Sequence, residues 1–400
     1  MFQRSLTIKK YLDCDLTSFP AVAYLVLVYF ISRIPFIGLG FGSFSSQTDY
    51  DILAVVNSAY LLRYDQVYTV SRYPGYPFYE FINALFINGG WIATNAATMA
   101  VSFISIIIFA KILNLFQVKN KSILVLTFTF MPVLWINSTI TMDYMWALMF
   151  ILLGSYLAFK DRYLLSGIAV GFAIGSRFTS MFMILPIVLW ALSKKADRGK
   201  ILTFISTAAG TAVLLFLPVF YKYKLEFLRG SGFLSTTPLR QPATLAIESF
   251  ALAINSMVME LFGIAALLLL VFSVITSLKK RSSLSITGRT HLLNFCWMTA
   301  VIYILLYLVF PYKVAYLIPL VPWGLIALNE KLRSSYTVAI CILLLLNGVL
   351  SVEVLSGDTG PAVRLDSGIV LKNYEDRKLR SIGLSEEYME SLPDLLSPVK

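Results

Sequence analysis

Residues 77–113, PFYEFINALFINGGWIATNAATMAVSFISIIIFAKIL, hold two helices of different kinds. PFYEFINALFI opens on Pro77 and is roughly half the length needed to cross a bilayer, so it predicts a helix lying at the membrane interface. Asn88-Gly89-Gly90 then turns the chain. From residue 91 to 113 the sequence is apolar over the ~20 residues a spanning helix requires. An interfacial helix feeding a span points to a polytopic membrane protein, and the rest of the chain agrees. Of 400 residues 58% are hydrophobic and 14% charged, with a mean hydropathy of +0.76, outside the range of soluble enzymes. Lipid offers the backbone no hydrogen-bond partners, and the repeated long apolar runs predict an all-α transmembrane bundle.

Working outward, about eleven spans are expected, at 20–39, 91–113, 122–136, 144–159, 163–175, 178–193, 201–221, 251–277, 292–310, 314–328 and 337–355. With the N-terminus inside, most Lys and Arg of the short connections fall on the inner side. Residues 40–90, 137–143, 222–250, 311–313 and the tail then lie outside. The formal charge of +11 follows from this topology, so no nucleic-acid partner is needed. The expected organisation is a bundle over 1–355, including outer loops 40–90 and 222–250, with a small outer tail at 356–400. The first apolar run lacks a cleavage pattern and is expected to stay as a span. Cys14, Cys296 and Cys341 fall in the inner tail or in spans, which leaves no outer disulfide framework. His291 is the only histidine, which excludes Ser-His-Asp hydrolysis and histidine-rich metal sites.

Polar chemistry concentrates in the first outer loop, in SFSSQTDYD (43–51), YDQVY (64–68) and SRYPGYPFYE (71–80). A plain anchor needs neither the acids Asp49 and Asp51 nor Arg72 there. Each has a structural reading too. Asp49 suits the N-cap of a helix starting at Tyr50, with Asp51 in its first turn, and the loop tyrosines suit an interfacial aromatic belt. Arg33 and Arg177 are span-end cations, equally readable as snorkelling or as site residues. Lys313, alone in a three-residue outer turn, runs against the inside bias, as do Lys222, Lys224, Arg229 and Arg240 beside Gly230-Ser231-Gly232. A basic loop drawn to anionic headgroups is the competing account of the last four.

The acidic pair after the first span, the Pro/Tyr-rich segment opening a juxtamembrane helix, and the late hairpin FPYKVAYLIPLVPW together resemble the GT-C superfamily of membrane glycosyltransferases, nearest to its protein O-mannosyltransferase-like and aminoarabinose-transferase-like branches. The resemblance implies a GT-C-like bundle and a sugar moved from a polyprenyl-phosphate donor to a glycan, lipid or protein acceptor on the outer face. It matches TDYD to the family's acidic motif, with Asp49 the first candidate for the catalytic carboxylate and Asp51 the second. It places Arg72, Tyr76 and Glu80 near the cavity, Asp143 at the head of the fourth span, and Tyr312 and Lys313 toward the donor. Arg72, Arg229, Arg240 and Lys313 are the expected phosphate holders, and Arg177 joins them as a substrate-binding candidate. One carboxylate acting as general base in a single displacement would invert the anomeric carbon. A divalent ion on Asp49 and Asp51 is possible but not favoured, since no third acid is near and the resembling branches are mostly metal-independent. A bacterial-type plasma membrane is the simpler host. Two alternatives stand: a polymerase or ligase of lipid-linked glycans, and a transporter or flippase, which would carry its acids at the midplane.

Overall fold

The computed structural model describes residues 19–42, 47–224, 261–279, 287–309, 313–357 and 360–384. Helix α1 (Phe19–Ile37) is followed by α2 (Gln47–Tyr64), an irregular loop, and α3 (Pro77–Phe86) with Pro77 in its first turn. Proline is tolerated there because the N–H it lacks would have had no helical partner. A 3-10 turn at Ile87–Gly89 and Gly90, at φ +60°, swing the chain into α4 (Gly90–Leu115).

Helices α5 (Lys121–Phe130) and α6 (Pro132–Asn137) are one apolar segment broken at Met131, as expected where a proline follows. Next come α7 (Tyr144–Phe159), α8 (Tyr163–Ser176), a 3-10 stretch Phe178–Met183 leading into α9 (Ile184–Ser193), and α10 (Arg198–Tyr223). Then follow α11 (Leu261–Lys279), α12 (Thr287–Val309), a 3-10 stretch Val314–Leu320 leading into α13 (Val321–Lys331), and α14 (Ser334–Val349).

Among the described residues, three helical stretches are long and apolar enough to cross a membrane unaided: Pro77–Leu115, Arg198–Tyr223 and Arg289–Val309. Other apolar helices are shorter, among them Lys121–Phe130, Tyr144–Phe159, Tyr163–Ser176 and Ser334–Val349, and the segments expected as single spans at 122–136, 178–193 and 314–328 are each built in two pieces. The expected span at 337–355 ends earlier, where α14 gives way to a hairpin. Strands β1 (Leu350–Gly357) and β2 (Gly360–Ser367) pair antiparallel, Leu350 opposite Ser367, so the chain is a helical bundle with one small β element. Helix α15 (Ile369–Leu384) returns from the hairpin to the bundle. Gly368 is required at that return, since a Cβ there would lie 2.6 Å from the backbone of Val349 and Leu350.

The tightest packing joins α8 to α10. Gly167, Gly171 and Gly175 form a stripe at i, i+4, i+8, and α10 lies against it closely enough that a Cβ at Gly171 would sit 2.5 Å from Thr211 Cβ. Small residues at this spacing let helix backbones approach where lipid supplies no hydrophobic drive. The ends of α4, α7, α9, α12 and α13 are pinned by aromatic rings, with Phe159 against Trp190 (4.6 Å) and Phe295 against Trp323 (4.9 Å). Near that basic end Asn120 donates to Asn329 (2.8 Å) and Ser334 donates to Asn120 (2.8 Å).

Candidate active site

Five ionisable side chains from five parts of the chain meet at the opposite end. Arg177 Nη1 donates to Asp143 Oδ2 (2.7 Å) and Arg72 Nη2 to Asp143 Oδ1 (3.1 Å). Arg72 Nη1 also reaches Asp51 Oδ2 (2.7 Å), and Lys313 Nζ donates to that same oxygen. The result is an alternating row, Arg177, Asp143, Arg72, Asp51, Lys313. Among the described side chains, three cations against two carboxylates leave one positive charge. Asp143 is inaccessible, Arg177 and Lys313 at the two ends are 7% and 11% exposed, and Asp51, at 21%, is the most open member of the row.

Each residue is fixed by the way its element begins or ends. Asp143 is the N-cap of α7, where a negative charge faces the positive end of the helix dipole. Arg177 ends α8 in extended backbone before the next 3-10 stretch, and Lys313 holds the same conformation ahead of Val314–Leu320. Broken spans therefore deliver charged residues to one level. Aromatic faces line the cations: Arg72 lies over Tyr76 (4.7 Å), and Arg177 over Tyr144 (4.4 Å) and Tyr316 (4.6 Å). The Arg72 Nε and the Tyr144 and Tyr303 hydroxyls are buried with no hydrogen-bond partner, leaving polar capacity for a bound molecule.

Burial alone would raise the Asp143 carboxyl, but Arg177 and Arg72 outweigh it and hold it below the usual carboxylate range. Burial pushes the Lys313 ammonium down, only partly countered by Asp51. A lysine in this state donates readily to an anion and is sensitive to what its partner is doing.

Glu80 does not face this row. Its carboxylate accepts from Tyr68 Oη (2.6 Å), Ser71 N (2.7 Å) and Ser71 Oγ (2.6 Å), closing loop 68–80 on itself and presenting Arg72 and Tyr76. The structure therefore gives Glu80, a substrate-binding candidate in the sequence, a loop-closing contact set, with three of its acceptor sites used by its own loop. The same loop is tied to α10 by Lys222 Nζ donating to Tyr68 O (2.7 Å) and Val70 N donating to Tyr223 Oη (3.3 Å). Gly75, at φ +102°, lets it turn between Val70 and Val219.

Arg33 likewise belongs to the packing. It is buried, donates to Ser138 Oγ (3.1 Å) and to Thr129 O, and stacks on Tyr29 (4.1 Å) and Trp135 (4.8 Å), with no contact to either acid of the row. Asp49 lies inside α2, which begins at Gln47, and so is not its N-cap; its side chain lies outside the described residues, as do Tyr312, Arg229 and Arg240. Sequence reasoning missed Tyr144 and Tyr316. Both sit beside residues it had singled out, one after Asp143 and three after Lys313, and adjacency was the available signal.

The family model described as dolichyl-phosphate-mannose-protein mannosyltransferase matches residues 75–221, a stretch that contains Tyr76, Glu80, Asp143 and Arg177. The match supports a GT-C membrane glycosyltransferase. Neither curated proteins nor solved structures give a match. The matched stretch supplies Asp143 and Arg177, the two least exposed members of the row, while Asp51, Arg72 and Lys313 come from outside it.

Proposed function

We propose that this GT-C-type glycosyltransferase moves a sugar from a polyprenyl-phosphate donor to a glycan, lipid or protein acceptor on the extracytoplasmic face, with inversion at the anomeric carbon. The observation that carries the reading is the Arg177–Asp143–Arg72–Asp51–Lys313 row, which among the described side chains sets three cations against two carboxylates and so carries one unbalanced positive charge. A sugar-phosphate diester carries one negative charge and would neutralise it. Arg72 and Lys313 offer the charge-assisted hydrogen bonds such a phosphate needs, and Tyr144, Tyr316 and Tyr76 offer faces and hydroxyls for a sugar.

The chemistry follows from competition. Donor phosphate draws Lys313 and Arg72 away from Asp51, which frees its carboxylate oxygens to accept a hydrogen bond from the acceptor. Asp51, with Asp49 of the same helix as the other candidate, accepts the acceptor hydroxyl's proton. The acceptor oxygen forms its bond to the anomeric carbon as the bond from that carbon to the phosphate oxygen breaks. The departing electron pair stays on the phosphate, held by the cations. General-base assistance of this kind is worth roughly 10²–10⁴-fold.

We infer eleven crossings, counting each of the two-part segments 121–137, 178–193 and 314–331 as one. A bacterial-type plasma membrane with the N-terminus inside puts the row outside. A flippase or solute transporter would need its acids at mid-bundle, whereas Asp143 and Arg177 lie at helix ends, which favours transfer. Purified protein incubated with radiolabelled polyprenyl-phosphate sugars, mannose first, tests the reading. Donor consumed by the wild type and spared by Asp49→Asn or Asp51→Asn supports transfer; solute or lipid flux in proteoliposomes without donor cleavage overturns it.

A further inference from the structure

Helix α15 returns to the same end of the bundle and inserts Arg377, which is 2% exposed. Arg377 Nη1 donates to Thr139 Oγ1 (3.0 Å), and Nη2 donates to both Thr139 O (3.0 Å) and Phe36 O (2.9 Å). The helix is seated by Val370 and Tyr374, which pack with Phe36 and Trp135. Thr139 lies four residues before Asp143, in the turn that carries it between α6 and α7. Other contacts hold that turn from the bundle side: Thr141 Oγ1 donates to Asn95 Oδ1 (2.8 Å), Thr141 N to Phe41 O (2.8 Å), and Arg33 reaches Ser138. From the C-terminal side, Arg377 alone among the described residues fastens it with a charged group. One guanidinium thus bridges two buried main-chain carbonyls, that of Phe36 in α1, which also accepts from Leu39 N (3.1 Å), and that of Thr139 in the turn.

We propose that Arg377 is a positioning residue for Asp143, so that the C-terminal hairpin and helix help set the geometry of Arg72 and Arg177 in the donor site. The inference rests on the row being that site, yet its physical core, control of the 137–143 turn, can be measured without turnover. Arg377→Met keeps much of the side-chain volume and removes the three hydrogen bonds, while Arg377→Lys keeps the charge and restores part of the bonding.

In full-length protein in nanodiscs, hydrogen exchange across 137–143 should rise about tenfold in Arg377→Met, with α8 unchanged, and fall back toward wild type in Arg377→Lys. With polyprenyl-phosphate-mannose as probe, the donor KM should rise at least fivefold. The double variant Arg377→Met/Asp143→Asn should be no worse than Asp143→Asn alone. Unchanged exchange in the turn, a uniform rise over the whole bundle, or additive losses in the double variant would each overturn the proposal. If the wild type consumes no donor, the transferase reading fails, and the exchange result alone decides whether Arg377 holds the turn.

Discussion

Asp143 is the residue on which the row's electrostatics depend, because it is inaccessible and accepts from two arginines at once. Asp143→Ala removes the one carboxylate that both arginines share; Arg72 keeps Asp51, but Arg177 is left nearly buried without its acidic partner, an arrangement that costs roughly 3–5 kcal/mol. A lowered thermal midpoint in detergent, with a larger loss than for Asp51→Ala, is the expected result. Lys313 makes a pH prediction. Its folded pKa is lowered, so it loses its proton as pH rises before an ordinary lysine would, and donor binding that depends on its charge declines there too. The alkaline limb of the donor KM should lie below the lysine range in wild type, and Lys313→Arg should move it upward; an identical limb in both would remove Lys313 from phosphate binding. Of these residues, Arg177 was nameable from the sequence because charge at a span end is expensive, Lys313 because it runs against the inside bias, Asp51 and Arg72 because their loop is polar beyond an anchor's needs, and Asp143 from the resemblance alone. Their mutual pairing was not, since it depends on where five separated segments stop.

At the scale of elements, the α8–α10 contact is held by absence of side chains. Gly171→Leu would drive its branches into Thr211 and the α10 backbone, and overpacking of this kind costs about 1–3 kcal/mol or separates the helices. A lower thermal midpoint and weaker cross-linking between engineered cysteines on α8 and α10 check it. Loop 68–80 is the second element with a clear consequence. Glu80→Gln weakens the bonds closing the loop without touching the row, so donor KM should rise several-fold through displaced Arg72, and Glu80→Asp should recover little because the shorter stem cannot reach Ser71. Pro77 and the Asn88-Gly89-Gly90 turn made α3 readable in advance. The direction of the Glu80 carboxylate was not readable, because a buried acid in a Tyr-rich loop looks the same whether it faces a substrate or its own backbone.

At the scale of the molecule, the apolar runs and the basic connections were enough to read a helical membrane bundle with its polar loops on one side, and the meeting of residues 51, 72, 143, 177 and 313 fits a common end. Hydropathy left gaps between spans at Arg177 and Lys313, but it could not report the break at Met131, the 3-10 openings Phe178–Met183 and Val314–Leu320, or the β1–β2 hairpin and α15, whose mixed charge carries no span signal. The 3-10 openings matter most, for each follows directly on a cation of the row. The account stands on Asp51, the most open member of the row, serving a phosphate-bearing sugar donor. Single-turnover cleavage of radiolabelled polyprenyl-phosphate-mannose, measured for wild type and Asp51→Asn at matched folded fraction, tests it most directly: a rate at least ~100-fold lower in the variant is predicted, and equal rates in the two proteins would contradict it.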